Sequence, residues 1–270
     1  MGIYNFAKRL VPNKIKPFLG RIFFKHHKFD SFSIVEIETT TVCNRRCSYC
    51  PNAIYDRGLI ENKKEMDIEL FKKIINELAE INYKGAIHPH FYGEPLLDKR
   101  LPELIRYAKE KLPKVELVIF TNGDLINIEK YNELVKAGTN RFMIAQHSKD
   151  ELENVNELIE YKKIHEDGVK VVYNKLKTYF NRGDLIKVEE KIKNDYCLFP
   201  STNITIDYDG NVILCCNDYL SKVKYGNVKS EKLMDIWNKP FYQKIREGTK
   251  KGIYNLELCK TCEQGSKLKE

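Results

Sequence analysis

The sequence has no apolar run near the roughly 18 residues that suggest a membrane-spanning helix, and no apolar segment ending in a small-residue cleavage site. Neither a transmembrane helix nor a secretory leader is therefore expected. A cytoplasmic location follows, with a peripheral position at a membrane as its variant. Disorder is excluded by 42% hydrophobic and 31% charged residues, the balance of a globular chain. Acidic residues are missing before Asp30, while Lys8, Arg9, Lys14, Lys16, Arg21, Lys25 and Lys28 interleave with Phe6, Leu10, Ile15, Phe18, Leu19, Ile22 and Phe23. Residues 1–32 read as a basic amphipathic segment. Its apolar side packs on the rest of the chain, or makes a weak contact with an anionic membrane surface through residues 1–28. The net charge of +8 is otherwise mixed with glutamate, and neither a basic face interleaved with aromatics nor a known recognition module is present, so no nucleic-acid partner is expected.

What the chain does have is cysteine, eight in 270 residues. In a reduced compartment that number points to metal or redox chemistry, not to a disulfide framework. Cys43, Cys47 and Cys50 form a C-x3-C-x2-C run directly after the apolar, β-branched stretch 32–40. The run therefore sits on the loop leaving the C-terminal end of a first strand. A structural zinc site closes with four protein ligands. Three clustered thiolates with no fourth nearby leave one metal position open, and thiolates favour zinc, copper(I) or iron–sulfur clusters.

The run resembles the signature of the radical S-adenosylmethionine (SAM) enzymes. That resemblance implies a [4Fe–4S] cluster on Cys43, Cys47 and Cys50, with its open iron chelated by the amino and carboxylate groups of SAM. It places Tyr49 near the adenine. Half of a zinc site is the alternative reading of the same residues.

Beyond this run, strand and helix patterns alternate. Helices are predicted near 67–78, with Asp67 as N-cap, near 101–108, near 128–135, with Gly138 just past its end, near 152–159, and as a short piece at 185–192. Strands are predicted at 86–92, 115–120, 141–145, 169–173 and 203–206. Six units of this kind give an α/β fold with a parallel sheet, and functional groups gather at the C-terminal strand ends. The resemblance narrows the fold to a partial (β/α)6 TIM-like barrel over residues 33–195.

The strand ends carry further motifs. Tyr92-Gly93-Glu94-Pro95 is similar to the family's GGEP motif, with Tyr92 in place of the first glycine; Glu94 suits the SAM ammonium. Phe120-Thr121-Asn122-Gly123 matches a turn that lies near the SAM ribose in relatives. Ala145 and His147 depart from the serine and aspartate usual after the fourth strand. His88, His90 and Tyr92 share one strand face, either lining a pocket or as satisfied buried groups. Arg182, in the turn Asn181-Arg182-Gly183-Asp184, is a candidate substrate contact or proton acceptor.

Residues 196–270 hold a second cysteine set: Cys197, Cys215 or Cys216, Cys259 and Cys262. A hairpin is predicted around Asp209-Gly210, followed by a helix bearing Trp237. Four thiolates close a shell that zinc or a cluster fills equally well. The layout resembles a twitch domain, a shortened SPASM module, which implies one auxiliary [4Fe–4S] cluster. In that family the hairpin ligand stands five residues after the glycine, which selects Cys215. Cys216 is then a hydrogen donor beside the cluster or a small buried apolar residue.

The resemblance as a whole implies a radical SAM oxidoreductase. SAM is cleaved to a 5′-deoxyadenosyl radical, a C–H hydrogen is taken, and an alcohol of a sugar, cyclitol or similar metabolite is oxidised through the auxiliary cluster. Its cofactors are two [4Fe–4S] clusters and SAM, and its partners a small-molecule substrate and an electron donor such as flavodoxin or ferredoxin. One alternative is a radical SAM epimerase using Cys216. The other is a zinc-stabilised, membrane-associated binding protein.

Overall fold

The computed structural model describes residues 31–176, 179–188, 191–192, 195–262 and 264–265; the basic segment before residue 31 lies outside them. In chain order the elements are β1 (Ile34–Ile37), α1 (Ile68–Glu80), β2 (Ala86–His88), α2 (Leu101–Lys111), β3 (Glu116–Thr121), α3 (Ile128–Ala137), β4 (Arg141–Gln146), α4 (Glu153–Ile164) and β5 (Lys170–Lys175). There follow β6 (Lys191–Ile192), α5 (Phe199–Thr202), β7 (Asn203–Ile206), β8 (Asn211–Ile213), β9 (Lys224–Asn227), α6 (Leu233–Trp237), α7 (Pro240–Lys250), α8 (Glu257–Thr261) and β10 (Gln264–Gly265).

Eight strands form one unclosed sheet in the order β5-β4-β3-β2-β1-β7-β8-β9. β1 to β5 are parallel neighbours and β7 joins the other side of β1, also in parallel, so six parallel strands are present. The sixth lies beside β1 and not beyond β5. From there β8 and β9 continue the sheet in antiparallel fashion, and the C-terminal hairpin grows directly out of the barrel.

Alternation along each strand sorts the side chains. Val35, Ile37, Ile87, Leu117, Ile119, Phe142, Ile144, Ile204 and Ile206 are buried in one core with Ile74, Ile75 and Leu78 of α1, Leu104 and Ile105 of α2, Leu134 of α3 and Leu158 of α4. Each such side chain contributes roughly 1.5–3 kcal/mol by leaving water. The alternate positions, Glu36, His88 and Phe120 among them, face the concave side.

Local signals hold at the helix ends. The Asp67 carboxylate accepts from the Glu69 and Leu70 N–H groups at 2.9 and 3.1 Å and caps α1. Gly138 ends α3 with φ 118°. Two expectations fail. β2 stops at His88, because Pro89 has no N–H to continue the ladder. No helix forms among the described residues of 185–192. Arg182, Gly183 and Asp184 take φ of 52°, 64° and 72°, which turns the chain, and Lys191–Ile192 then pairs antiparallel with Gln264–Gly265. Among the described residues no helix is long and apolar enough to cross a membrane.

Candidate active site

The loop leaving β1 carries Cys43, Cys47 and Cys50, all partly buried. It is held from two sides. On one, the Cys43 N–H donates to the Gly58 carbonyl at 3.0 Å. On the other, Asn44 Nδ2 and Arg45 Nε donate to Asp124 Oδ2 at 2.7 and 2.6 Å, and Arg45 Nη2 reaches Asp124 Oδ1. This forked, charge-assisted grip ties the cysteine loop to the exit of β3. Burial alone would raise the Asp124 carboxyl; the Arg45 bonds and charge overcome it and hold the group below the usual carboxylate range. Burial pushes the Cys43 thiol up to about 11, with Glu94, Cys50 and Cys47 adding to the rise. Three sulfurs that repel one another as thiolates suit a positively charged metal centre among them.

Gly93 and Glu94 dock beside this loop. A Cβ on Gly93 would fall 2.1 Å from the Thr40 carbonyl oxygen, so only glycine lets the β2 exit lie against the β1 exit. The Glu94 N–H donates to the Val42 carbonyl at 2.7 Å. Its carboxylate, 3% exposed, accepts from Thr121 Oγ1 at 2.7 Å, the Asn122 N–H at 2.9 Å and the Leu96 N–H at 3.1 Å. Burial pushes this carboxyl up to about 7 in spite of those bonds. A carboxylate offers about four acceptor sites; three are taken, and an ammonium group would fill the fourth and restore the charge. Pro95 opens the short 3-10 turn that follows. Nearby, Tyr49 Oη pairs with His147 Nδ1 at 2.6 Å, and the two rings stack with centroids 5.9 Å apart. An open cavity of about 660 Å³ adjoins the ends of β4 and β5, lined by Gln146, Lys149, Glu151, Tyr173, Asn174 and Lys175.

The concave face is polar. Glu36 lies in register with His88 and Thr205, and its Oε2 accepts from Thr205 Oγ1 at 2.7 Å. Burial raises its carboxyl, against hydrogen bonds from Thr205 and Asn203 and the charge of Arg182. His88 and His90 pack on Phe120, centroids 4.8 and 5.6 Å apart. Burial lowers them to about 4 and about 3, so both are neutral at pH 7. Arg182 donates through Nη1 to Asn217 Oδ1 at 3.0 Å, and its guanidinium lies 5.4 Å above the Tyr92 ring. Its Nε is buried without a hydrogen-bond partner. Tyr92, which departs from the motif, donates its hydroxyl to the Cys216 carbonyl at 2.8 Å. Burial, then the Glu36 carboxylate, raise the Cys216 thiol far enough to keep it protonated.

Cys197, Cys215, Cys259 and Cys262 line one cavity of about 560 Å³ with Phe180, Tyr254, Leu258 and other residues. Cys216 does not line it; it packs instead against Phe91, Tyr92, Ile213 and Tyr219. Burial raises Cys197 and Cys215, and pushes Cys259 up to about 12 with help from Cys197 and Cys262. Four thiols around one cavity are a soft donor set of the kind that holds an iron–sulfur cluster or zinc. Among the described residues no three His, Cys, Asp or Glu are grouped so as to hold a single metal ion.

Sequence reasoning passed over Asn44, Arg45, Asp124 and Glu36. Glu36 had a signal: a carboxylate at an alternating position inside an apolar strand. The others are paired across the fold, and the chain pattern carries no trace of those partners.

Residues 37–188 match the radical SAM superfamily, and residues 197–263 match an iron–sulfur cluster-binding domain, SPASM. The S-adenosyl-L-methionine-dependent 2-deoxy-scyllo-inosamine dehydrogenase of Niallia circulans is 32% identical over 238 residues, 86% of this chain and 92% of that protein. The crystal structure of BtrN in complex with AdoMet and 2-DOIA matches with a TM-score of 0.75 and 30% identity, over 86% of this chain and 93% of that one. Native anSMEcpe with bound AdoMet, 16% identical with a TM-score of 0.55 over 80% of this chain and 83% of that one, shares the fold.

Proposed function

Because the chain belongs to the radical SAM superfamily and carries an iron–sulfur cluster-binding domain, and so is a radical SAM enzyme with two [4Fe–4S] clusters and SAM as cofactors, we propose that it oxidises an alcohol carbon of a small cyclitol or related polyol. Cys43, Cys47 and Cys50 hold the first cluster. Cys197, Cys215, Cys259 and Cys262 hold the auxiliary one. When bound, these groups supply a carbon-centred radical from SAM and an acceptor for the electron left on the substrate.

The chain's own residues do the rest. Glu94, fixed by Thr121 and Asn122, takes the SAM ammonium, Gly93 and Pro95 set its height, and Tyr49 packs near the adenine. Neutral His88 and His90 and the ring of Phe120 suit a polyhydroxylated ring. The observation that carries the reading is Arg182: a partly buried cation whose buried Nε has no hydrogen-bond partner, on the concave face, bonded through Asn217 to the auxiliary cysteine loop. A guanidinium stays charged. Arg182 therefore stabilises the substrate oxygen as its proton leaves and does not take that proton. Glu36 is the acceptor closest in kind. A flavodoxin or ferredoxin supplies the reducing electron.

The test supplies SAM, reductant and a panel of aminocyclitols and sugars to reconstituted protein without oxygen. One ketone per 5′-deoxyadenosine is expected. SAM cleavage with solvent deuterium entering the substrate, and no net oxidation, would reject oxidation. It would favour the epimerase reading, which is supported by Cys216 standing outside the auxiliary cavity, packed against Tyr92, with burial raising its thiol.

A further inference from the structure

The two cysteine loops meet at one side chain. Tyr219 lies four residues past Cys215 and is 1% exposed. Its hydroxyl donates to Asn52 Oδ1 at 2.9 Å, and Asn52, two residues past Cys50, is equally buried. Its carbonyl accepts from Arg57 Nη1 at 2.7 Å, and the Arg57 guanidinium lies 5.1 Å from its ring. Tyr55 packs on the same ring with centroids 5.6 Å apart. Three residues of the loop after Cys50 thus close around one residue of the auxiliary loop.

Tyr92 completes a circuit. Its ring meets Tyr219 edge-on at 4.7 Å, its carbonyl accepts from Asn52 Nδ2 at 3.1 Å, and its hydroxyl donates to the Cys216 carbonyl at 2.8 Å. Phe91, Tyr92, Ile213 and Tyr219 form a small separate core, with Cys50 and Cys216 both packed on it. On its other side Asn52 lies close against the Gly58 backbone, where an added Cβ would fall 2.8 Å from Asn52 Cγ. Arg57 is anchored in turn by Glu38, Nη2 to Oε2 at 2.5 Å.

We propose that Tyr219 is a positioning residue that keys the auxiliary cysteine loop into the N-terminal one, and that its hydroxyl bond to Asn52 fixes the separation of the two clusters. This rests on the two-cluster reading. It goes beyond the oxidation itself, since Tyr219 does not line the auxiliary cavity and acts through its contacts with Asn52, Arg57 and Tyr92. Its consequence is coupling. An electron left on the substrate is collected only if the auxiliary site keeps its place relative to the site where SAM is cleaved.

Tyr219→Phe removes the hydroxyl and keeps the ring, leaving Asn52 Oδ1 buried without its donor. Tyr219→Ala removes the key. In the two-cluster holoenzyme, pulsed EPR of the reduced protein reads the dipolar coupling between clusters. Turnover reads 5′-deoxyadenosine formed per oxidised product. At parental iron content, Tyr219→Phe is expected to broaden the coupling and raise that ratio about fivefold, the factor for one ordinary hydrogen bond. Parental coupling and an unchanged ratio in Tyr219→Phe would overturn the proposal, even if Tyr219→Ala failed to bind iron. If the parent itself oxidises nothing, the oxidation reading fails and the dipolar coupling alone decides about Tyr219.

Discussion

Gly93→Ala tests whether the proposed SAM site depends on close contact between two strand exits. The added methyl would sit 2.1 Å from the Thr40 carbonyl oxygen and 2.9 Å from the Thr40 carbonyl carbon. Both obstacles are backbone, so no side chain can rotate away. Reaching even 3.0 Å from that oxygen requires a shift of 3.0 − 2.1, about 0.9 Å. The same movement stretches the Glu94 N–H to Val42 bond from 2.7 to about 3.6 Å, past hydrogen-bonding range. Two buried backbone groups lose their partners, at about 1–3 kcal/mol. The Glu94 carboxylate moves by a similar distance, and misplacement of about 1 Å can reduce turnover about 100-fold. Melting should fall by roughly 5 °C, and SAM affinity in iron-replete, oxygen-free protein by about 10- to 100-fold. Gly168→Ala is the contrast. Gly168 has φ +75° and nothing within 4 Å of where a methyl would stand, so the change costs only backbone strain, about 1 kcal/mol, with no effect on SAM. SAM affinity within twofold of parent in Gly93→Ala, at equal iron content, would refute the reasoning.

Three further outcomes follow from the same geometry. Cys43→Ala should retain about four of about eight irons, from the auxiliary set, and lose 5′-deoxyadenosine formation altogether; iron assay and chromatography check both. Arg182→Lys should continue to cleave SAM while product formation falls about 100-fold, because a point charge replaces a planar fork wedged between Tyr92 and Asn217. The third concerns pH. Unfolded His88 takes up a proton near 6.5 and folded His88 only near 4, so its contribution to stability is lost as pH falls through that window. Between pH 7 and pH 5 the parent should lose about 2 kcal/mol to this residue, and urea titrations should show His88→Gln losing correspondingly less.

The features that chemistry writes locally were legible. Three cysteines in eight residues, a CxxC near the C-terminus, Asp67 before an amphipathic run and Gly138 after one all act within a few positions of themselves. Strand order was less legible, since β7 has the same alternating pattern whether it lies beside β1 or beyond β5; what settles it is the register of Ile34–Ile37 against Asn203–Ile206. The pairings that tie the site together were not legible at all. Asn52 and Tyr219 are 167 positions apart, and Asn44 and Asp124 are 80 apart. No periodicity links such residues. Tyr92 shows how the two levels meet. From sequence it is a departure from a glycine motif that shares a strand face with His88 and His90. In the fold, its hydroxyl and carbonyl reach the two cysteine loops at once. A glycine there would keep the carbonyl bond to Asn52 and lose the hydroxyl bond to Cys216. The substitution therefore fits a chain whose auxiliary loop must be held from the β2 exit, and it places the departure at the junction of the two cysteine loops.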